Sequence, residues 1–349
     1  MKSASRFLIL FGALCGQEFT PVSAAQAADE GKAAAASRPN IILIVADDLG
    51  WTDLGCFGSR YYETPHIDRL AAQGMKFTDA YTCGPNCTPT RAALLSGQYG
   101  PRTGIYTVGS RDRFNWQSRP LRPLDNVEKL PLKTVTIAES LKQAGYATGI
   151  VGKWHLGARG EKHNPLDRGF DEFFGFLGGG HPYVGDGQAI LRGREHVGEK
   201  EYLTDAFGRE AMSFVRRHRD GPFFLYLAFN AVHTPLQSPP SYLTHFKGKA
   251  SVGGHNDPVY GGMIASLDEN VGRLLSLLNE LKLSENTVVV FSSDNGGVGG
   301  YHRAGIRSHD ITDNAPLRGG KGMLYEGGIR VPCIVRWPGQ TAPGTVCQR

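Results

Sequence analysis

The sequence predicts an α/β fold, one large sheet of mostly parallel strands covered by helices on both faces, and three observations carry that expectation. Apolar runs of strand length alternate with segments of helical period along the chain. The first run, NIILIVA at residues 40–46, is continuous rather than alternating, as in a central strand buried on both sides. Four such runs each end abruptly in polar or charged residues, which are costly anywhere inside a sheet.

Residues 1–27 precede the fold. Lys2 and Arg6 introduce an apolar run over residues 7–15, and small residues follow as far as Ala25-Gln26-Ala27, the order of a secretory signal peptide. Nine apolar residues fall short of the roughly 20 that a membrane span requires. Residues 28–38 read as a flexible leader, and the length of residues 39–349 allows one large domain or two smaller ones, which the family resemblance given below makes one catalytic domain. The strand at residues 40–46 halts at Asp47-Asp48. Thr64 and Pro65 before, with Gly74 after, bracket a short helix. Pro89 in the first turn of the next helical segment, which runs to Gly97, puts Cys87 at a helix N-terminus. Thr136 and Glu139 form a capping box for a helix reaching Ala144. The strand at 147–152 then stops at Lys153-Trp154-His155. A helix over 203–218 leads to a strand over 222–229 and to His233-Thr234-Pro235, and a long helix over 258–281 leads to a strand over 287–292 and to Asp294-Asn295-Gly296-Gly297.

Composition excludes several classes. With 40% hydrophobic residues, and 46 glycines and 20 prolines among 349 residues, disorder and collagen are out. The balance of 38 basic against 33 acidic residues is mild and reads as interleaved, with no nucleic-acid-binding arm. Once Cys15 leaves with the signal, five cysteines remain, an odd number for a compartment that permits disulfides. The Cys83 to Cys87 spacing has no second ligand pair to complete a zinc site.

In open α/β sheets, ligands bind in the crevice beyond the carboxyl ends of the strands. If the four strands are parallel neighbours, Asp47, Asp48, Lys153, His155, His233, Asp294 and Asn295 converge there. The Asp and Asn oxygens suit a hard divalent cation, calcium or magnesium. Lys153, Lys321 and the two histidines suit an anion and proton transfer. Ten glycines between residues 296 and 328 permit either close approach of backbone N–H groups to an anion or tight surface turns. The helix dipole and Arg91 favour an anion beside Cys87. On these grounds alone Cys87 reads as a low-pKa thiolate or a disulfide partner.

Cys87-Thr88-Pro89-Thr90-Arg91 resembles the Cys-x-Pro-x-Arg signature of type I sulfatases, whose cysteine is oxidised to Cα-formylglycine. Five further stretches resemble that family in its own order: residues 40–50 with the two aspartates, Thr64-Pro65-His66-Ile67-Asp68-Arg69-Leu70, Gly152-Lys153-Trp154-His155-Leu156-Gly157, Ser293-Asp294-Asn295-Gly296, and Gly319-Gly320-Lys321-Gly322 continuing to Pro332. The resemblance implies an alkaline-phosphatase-like three-layer sandwich and a sulfuric ester hydrolase acting on an aryl or carbohydrate sulfate. It implies calcium, rather than magnesium, held by Asp47, Asp48, Asp294, Asn295 and the formylglycine made from Cys87. One hydroxyl of the hydrated aldehyde would attack sulfur, with Arg91 favouring the nucleophilic oxyanion and Lys153 and Lys321 neutralising sulfate oxygens. His233, with Lys321, would protonate the leaving oxygen, and His155 would accept the proton whose loss expels sulfate.

The implied partners are a sulfated small molecule or glycan and a formylglycine-generating enzyme, with no nucleic acid and no stable membrane insertion. The implied setting is export, to the periplasm or an extracellular or lumenal space. Thr90 stands where many members have serine, and the small C-terminal subdomain usual in the family is largely absent from these 349 residues. Two alternatives stand beside this expectation: a phosphodiesterase or phosphonate monoester hydrolase of the same superfamily, and a non-catalytic binder of sulfated glycans. His181, after three glycines, reads equally as a substrate contact or a surface turn. The Arg-, Pro- and aromatic-rich residues 111–130 read as a rim of the pocket that meets an anionic sugar.

Overall fold

The structure is a computed structural model that describes residues 38–113, 115–157, 162–185 and 190–348. The signal segment, and all of the leader except Arg38, lie outside the described residues. The strands are β1 (Asn40–Ala46), β2 (Met75–Phe77), β3 (Ala147–Lys153), β4 (Glu172–Phe176), β5 (Leu191–Arg192), β6 (Glu195–His196), β7 (Phe223–Ala228), β8 (Thr287–Ser293), β9 (Cys333–Arg336) and β10 (Thr345–Cys347). The helices are α1 (Pro65–Gln73), α2 (Cys87–Ser96), α3 (Gly100–Thr103), α4 (Ile137–Gln143), α5 (Leu203–Arg217), α6 (Pro240–Phe246), α7 (Pro258–Glu280) and α8 (Glu326–Ile329).

All ten strands join one sheet in the order β10-β2-β9-β8-β1-β7-β3-β4-β5-β6. The five central strands β8, β1, β7, β3 and β4 run parallel. The flanks are antiparallel at β9 and at the β5–β6 hairpin, so the sheet is mixed around a parallel centre. The four strands expected from the sequence are immediate parallel neighbours, and their polar successors therefore emerge side by side.

Strand periodicity divides the core into two layers, because successive side chains leave opposite faces of a sheet. Leu225 and Leu227 of β7 join a cluster with Ile42, Phe207 of α5 and Leu267 of α7. Phe224 and Tyr226 join a separate cluster with Val45, Leu95 of α2 and Ala138 of α4. Helix, sheet and helix form the three-layer arrangement.

The capping box at α4 forms in full: Glu139 N–H donates to Thr136 Oγ1, and Thr136 N–H donates to Glu139 Oε2. At α1 the mechanism differs from expectation. Thr64 Oγ1 donates to Asp68 and makes no cap bond. Instead Asp268, buried midway along α7, accepts the N–H groups of His66 and Ile67. Gly74 is extended rather than left-handed. It is required there because a Cβ would lie 2.5 Å from the carbonyl oxygen of Val335 on β9.

Candidate active site

The crevice at the carboxyl ends of the central strands is built on opposite charges held within hydrogen-bond distance. Asp47 and Asp48 follow β1, with Asp47 N–H bonded to Ala231 O beyond β7. Lys153, the last residue of β3, sets its Nζ 2.5 Å from Asp47 Oδ2, and both side chains are fully buried. Arg91, one turn into α2, places Nε 2.8 Å from Asp294 Oδ2 and donates NH1 to the carbonyl of Lys153. Lys321 Nζ lies 2.7 Å from Asp48 Oδ2, and Asn295 Nδ2 donates to Asp48 Oδ1 at 2.8 Å. His233 Nδ1 bonds the carbonyl of Thr234 at 2.6 Å, so that nitrogen carries the hydrogen, and Nε2 faces Asp48 Oδ2 at 3.8 Å. Thr88 Oγ1 lies 3.3 Å from ring nitrogens of His155.

Asp48 and His155 both adopt left-handed backbone, with φ of 65° and 57°. Asp and His are among the residues that tolerate this region, and such strain concentrates at functional sites.

The packed charges set the proton affinities. Burial pushes the Asp47 carboxyl up, but Lys153, His233 and Arg91 together hold the group below its ordinary value. Burial, and then Asp47, push Asp294 up despite Arg91. Burial lowers His155 to about 2, with Lys153 and Arg91 adding to the effect, so its imidazole is neutral. Burial also pushes the Cys87 thiol up, against Lys153. Cys87 forms no disulfide. The disulfide-partner reading of Cys87 therefore finds no partner here, and its thiol is buried at the start of α2.

The donor set fits a hard cation. Asp47, Cys87 and Asp294 offer ligand atoms within 4.8 Å of one another, as do Asp47, Asp48 and His233. Asp47 Oδ1 and Asn295 Oδ1 are buried oxygens without a hydrogen-bond partner, a costly state that a coordinated cation relieves. Three carboxylates and the three cations Arg91, Lys153 and Lys321 cancel, so a divalent ion would leave the crevice positive and receptive to an anion.

The glycine-rich stretch after Asn295, read from the sequence either as an anion-facing backbone or as tight turns, packs on itself. Its groups bond to one another: Gly296 N–H donates to Gly328 O, and Lys321 N–H donates to Gly297 O. A Cβ at Gly296 would lie 1.8 Å from Gly327 O. Close backbone packing within the loop sets the position of Lys321. The other glycine loop, residues 178–180, covers the crevice: a Cβ at Gly179 would sit 2.6 Å from His155 Nε2, and one at Gly180 would sit 3.4 Å from His233 Cε1. His181 is turned to Phe176, with ring centroids 5.2 Å apart, and bonds the carbonyl of Pro182.

A buried network behind the crevice was not foreseen. Asp53 accepts hydrogen bonds from Gly50 N–H, Tyr260 Oη and Thr312 Oγ1, and His255 Nε2 lies 3.4 Å away. Tyr260 also reaches the carbonyl of Asp48. The network ties the loop after β1 to α7 and to the segment leading to Lys321. Tyr260 and Thr312 lie 207 and 259 residues from Asp53 in sequence, and no local pattern marks them. Among the described residues, no helix is long and apolar enough to cross a membrane.

Comparison with known proteins sets this geometry in context. The sequence model of the Sulfatase family matches residues 39–349. N-acetylgalactosamine-6-sulfatase of Canis lupus familiaris is 38% identical over 346 residues, 92% of this chain and 61% of that protein. A sulfatase of Formosa agariphila is 36% identical, over 99% of this chain and 70% of that protein. The crystal structure of Ps i-CgsB in complex with k-i-k-neocarrahexaose superposes with a TM-score of 0.77 at 36% identity, covering 90% of this chain and 69% of the other. The chain spans about three fifths of the length of the N-acetylgalactosamine-6-sulfatases it matches.

Proposed function

This chain belongs to the sulfatase family, with its alkaline-phosphatase-like fold, and we propose that it hydrolyses sulfate monoesters of carbohydrate or aryl alcohols after conversion of Cys87 to Cα-formylglycine. The observation that carries the proposal is the meeting of Cys87 with Asp47 and Asp294, beside Arg91 and Lys153 and beneath two partnerless buried oxygens. The names of the N-acetylgalactosamine-6-sulfatases favour a sulfated sugar as substrate.

Calcium, held by Asp47, Asp48, Asp294, Asn295 and the modified residue 87, would supply a fixed positive charge for sulfate and for the nucleophilic oxygen. The hydrated aldehyde supplies one hydroxyl for attack on sulfur and a second whose proton must leave to expel sulfate. Lys153 and Lys321 present ammonium groups to the sulfate oxygens, and Arg91 adds charge beside residue 87. His155, neutral and buried, accepts the proton of the second hydroxyl. His233 in its protonated form delivers the Nε2 proton to the leaving oxygen, with Lys321 beside it. The partner implied is a formylglycine-generating enzyme, and the signal-like N-terminus points to an exported protein.

Mass spectrometry of the peptide spanning Cys87, from chain co-expressed with such an enzyme, should show the thiol replaced by an aldehyde. Turnover of p-nitrophenyl sulfate should accompany it and vanish in Cys87→Ala. An unmodified thiol in fully active protein would falsify the mechanism, and faster cleavage of an aryl phosphodiester than of the sulfate would transfer the chain to the phosphorus-ester alternative.

A further inference from the structure

The net charge of this chain is concentrated rather than interleaved. Between positions 102 and 133 stand seven Lys and Arg against three Asp and Glu, a surplus of four, and within 106–125 four Arg stand against Asp112 and Asp125, which pair with Arg111 and Arg122. Arg113, Arg119 and Arg122 in this stretch are exposed. Tyr99, Leu121 and Leu124 lie in and beside the same stretch with most of their side-chain surface in water. Trp116 is flanked by two guanidinium groups, with Arg111 Cζ 5.3 Å and Arg122 Cζ 5.9 Å from its ring centroid. Basic groups interleaved with apolar and aromatic faces make an amphiphilic surface that a monomeric fold has no internal reason to expose.

The base of this arm is fixed beside the crevice. Asn126 clamps its two legs: its Oδ1 accepts from Tyr106 N–H and Thr107 N–H, and its Nδ2 donates to the carbonyls of Thr107 and Gly109. Val127 N–H bonds Gly104 O, and Leu130 N–H bonds the carbonyl of Leu156, the residue after His155. Ile105 and Leu130 are fully buried in the cluster that contains Trp154 and Leu156. The arm is therefore rooted on the segment that carries Lys153 and His155.

We propose that this arm, residues 106–113 and 115–125, is a binding surface for a sulfated polysaccharide, holding sulfated sugars next to the one whose ester enters the crevice. Guanidinium groups pair bidentately with tetrahedral oxyanions, and exposed aromatic and aliphatic faces suit the apolar faces of sugar rings. A nucleic acid would satisfy the charges but would bring no sulfate ester to the crevice. The polymer's identity rests on the proposed sulfatase activity, whereas binding through the arm does not.

The test titrates the full chain with size-fractionated dextran sulfate, with neutral dextran and duplex DNA as references, at several NaCl concentrations. The parent should bind dextran sulfate in preference to both references. The Arg113→Ala/Arg119→Ala/Arg122→Ala variant should lose at least tenfold in affinity, and its slope of log K against log salt should fall by about two to three. It should melt with the parent and turn over p-nitrophenyl sulfate within twofold of it, and lysine at the same three positions should recover part of the affinity. Equal binding by parent and triple variant, equal binding of neutral dextran, or a preference for DNA would each overturn the proposal. Arm-dependent binding in a chain that hydrolyses no sulfate ester would refute the activity and uphold the arm.

Discussion

Gly179→Ala tests whether the loop over the crevice leaves room for His155 alone. The added Cβ would lie 2.6 Å from His155 Nε2 and 2.7 Å from Cε1, so about 0.8 Å of relief is needed to reach ordinary contact near 3.4 Å. The imidazole has little room to retreat. It is largely buried against Thr88, and its backbone is held by His155 N–H donating to Leu177 O. A misplacement of about 1 Å at a catalytic group costs about 100-fold, so kcat should fall by roughly 30- to 100-fold, near 2–2.7 kcal/mol of barrier. Stability should change by less than about 1 kcal/mol, because the loop is partly exposed and the insertion is a single methyl. Gly178→Ala is the control, since no heavy atom lies within 4 Å of its Cβ position. The assay is initial-rate hydrolysis of p-nitrophenyl sulfate by formylglycine-bearing protein, with thermal melts of all three chains. A Gly179→Ala enzyme within threefold of the parent in kcat would show that the loop, not the histidine, gives way, and would refute the steric reasoning.

Three further outcomes follow from the same geometry. Saturating calcium should raise stability by about 2.7 kcal/mol at a hundred times its Kd, read as a Tm increase that chelation reverses and that Asp47→Asn weakens; a Tm indifferent to calcium would count against the metal assignment. His155 is held near 2 in the fold, against about 6.5 when unfolded, so the unfolded chain takes up a proton that the native chain refuses. Stability is therefore lost as pH falls below 6.5, by about 2.7 kcal/mol from this group at pH 4.5, and denaturant titrations of His155→Gln should lack that part of the loss. Asp268→Ala should cost about 0.5–2 kcal/mol, because the N–H groups of His66 and Ile67 lose their acceptor, and Asp268→Asn should cost less because it keeps one; equal melts for all three chains would mean the cap contributes nothing.

The parts of the molecule that were legible in the sequence are those specified by local chemistry. A continuous apolar run such as residues 40–46 has to be a covered strand, and aspartates at its end have to leave the sheet. Four repeats of that pattern were enough to foresee parallel neighbours and a common crevice. The capping box at Thr136 and the opening of α2 at Cys87 were legible for the same reason, since each is written within four residues.

What escaped is set by tertiary partners. Strands β2, β5, β6, β9 and β10 are two to four residues long, too short for any period, and exist because a neighbouring strand supplies their hydrogen bonds. The cap of α1 comes from Asp268, some 200 residues downstream, and nothing near Thr64 could reveal it. The late glycines mislead in an instructive way. Glycine density signals that backbone comes close to something, and composition cannot say whether that is an anion or another carbonyl. At Gly296 it is the carbonyl of Gly327, and the function of the close approach passes through Lys321: the folded loop delivers its ammonium to Asp48. If that is the loop's role, Gly296→Ala should displace Lys321 and weaken sulfate binding, whereas an anion-cradling loop would lose affinity without moving the lysine. A crystal structure of the variant separates the two: an unmoved Lys321–Asp48 pair would restore the anion-facing reading.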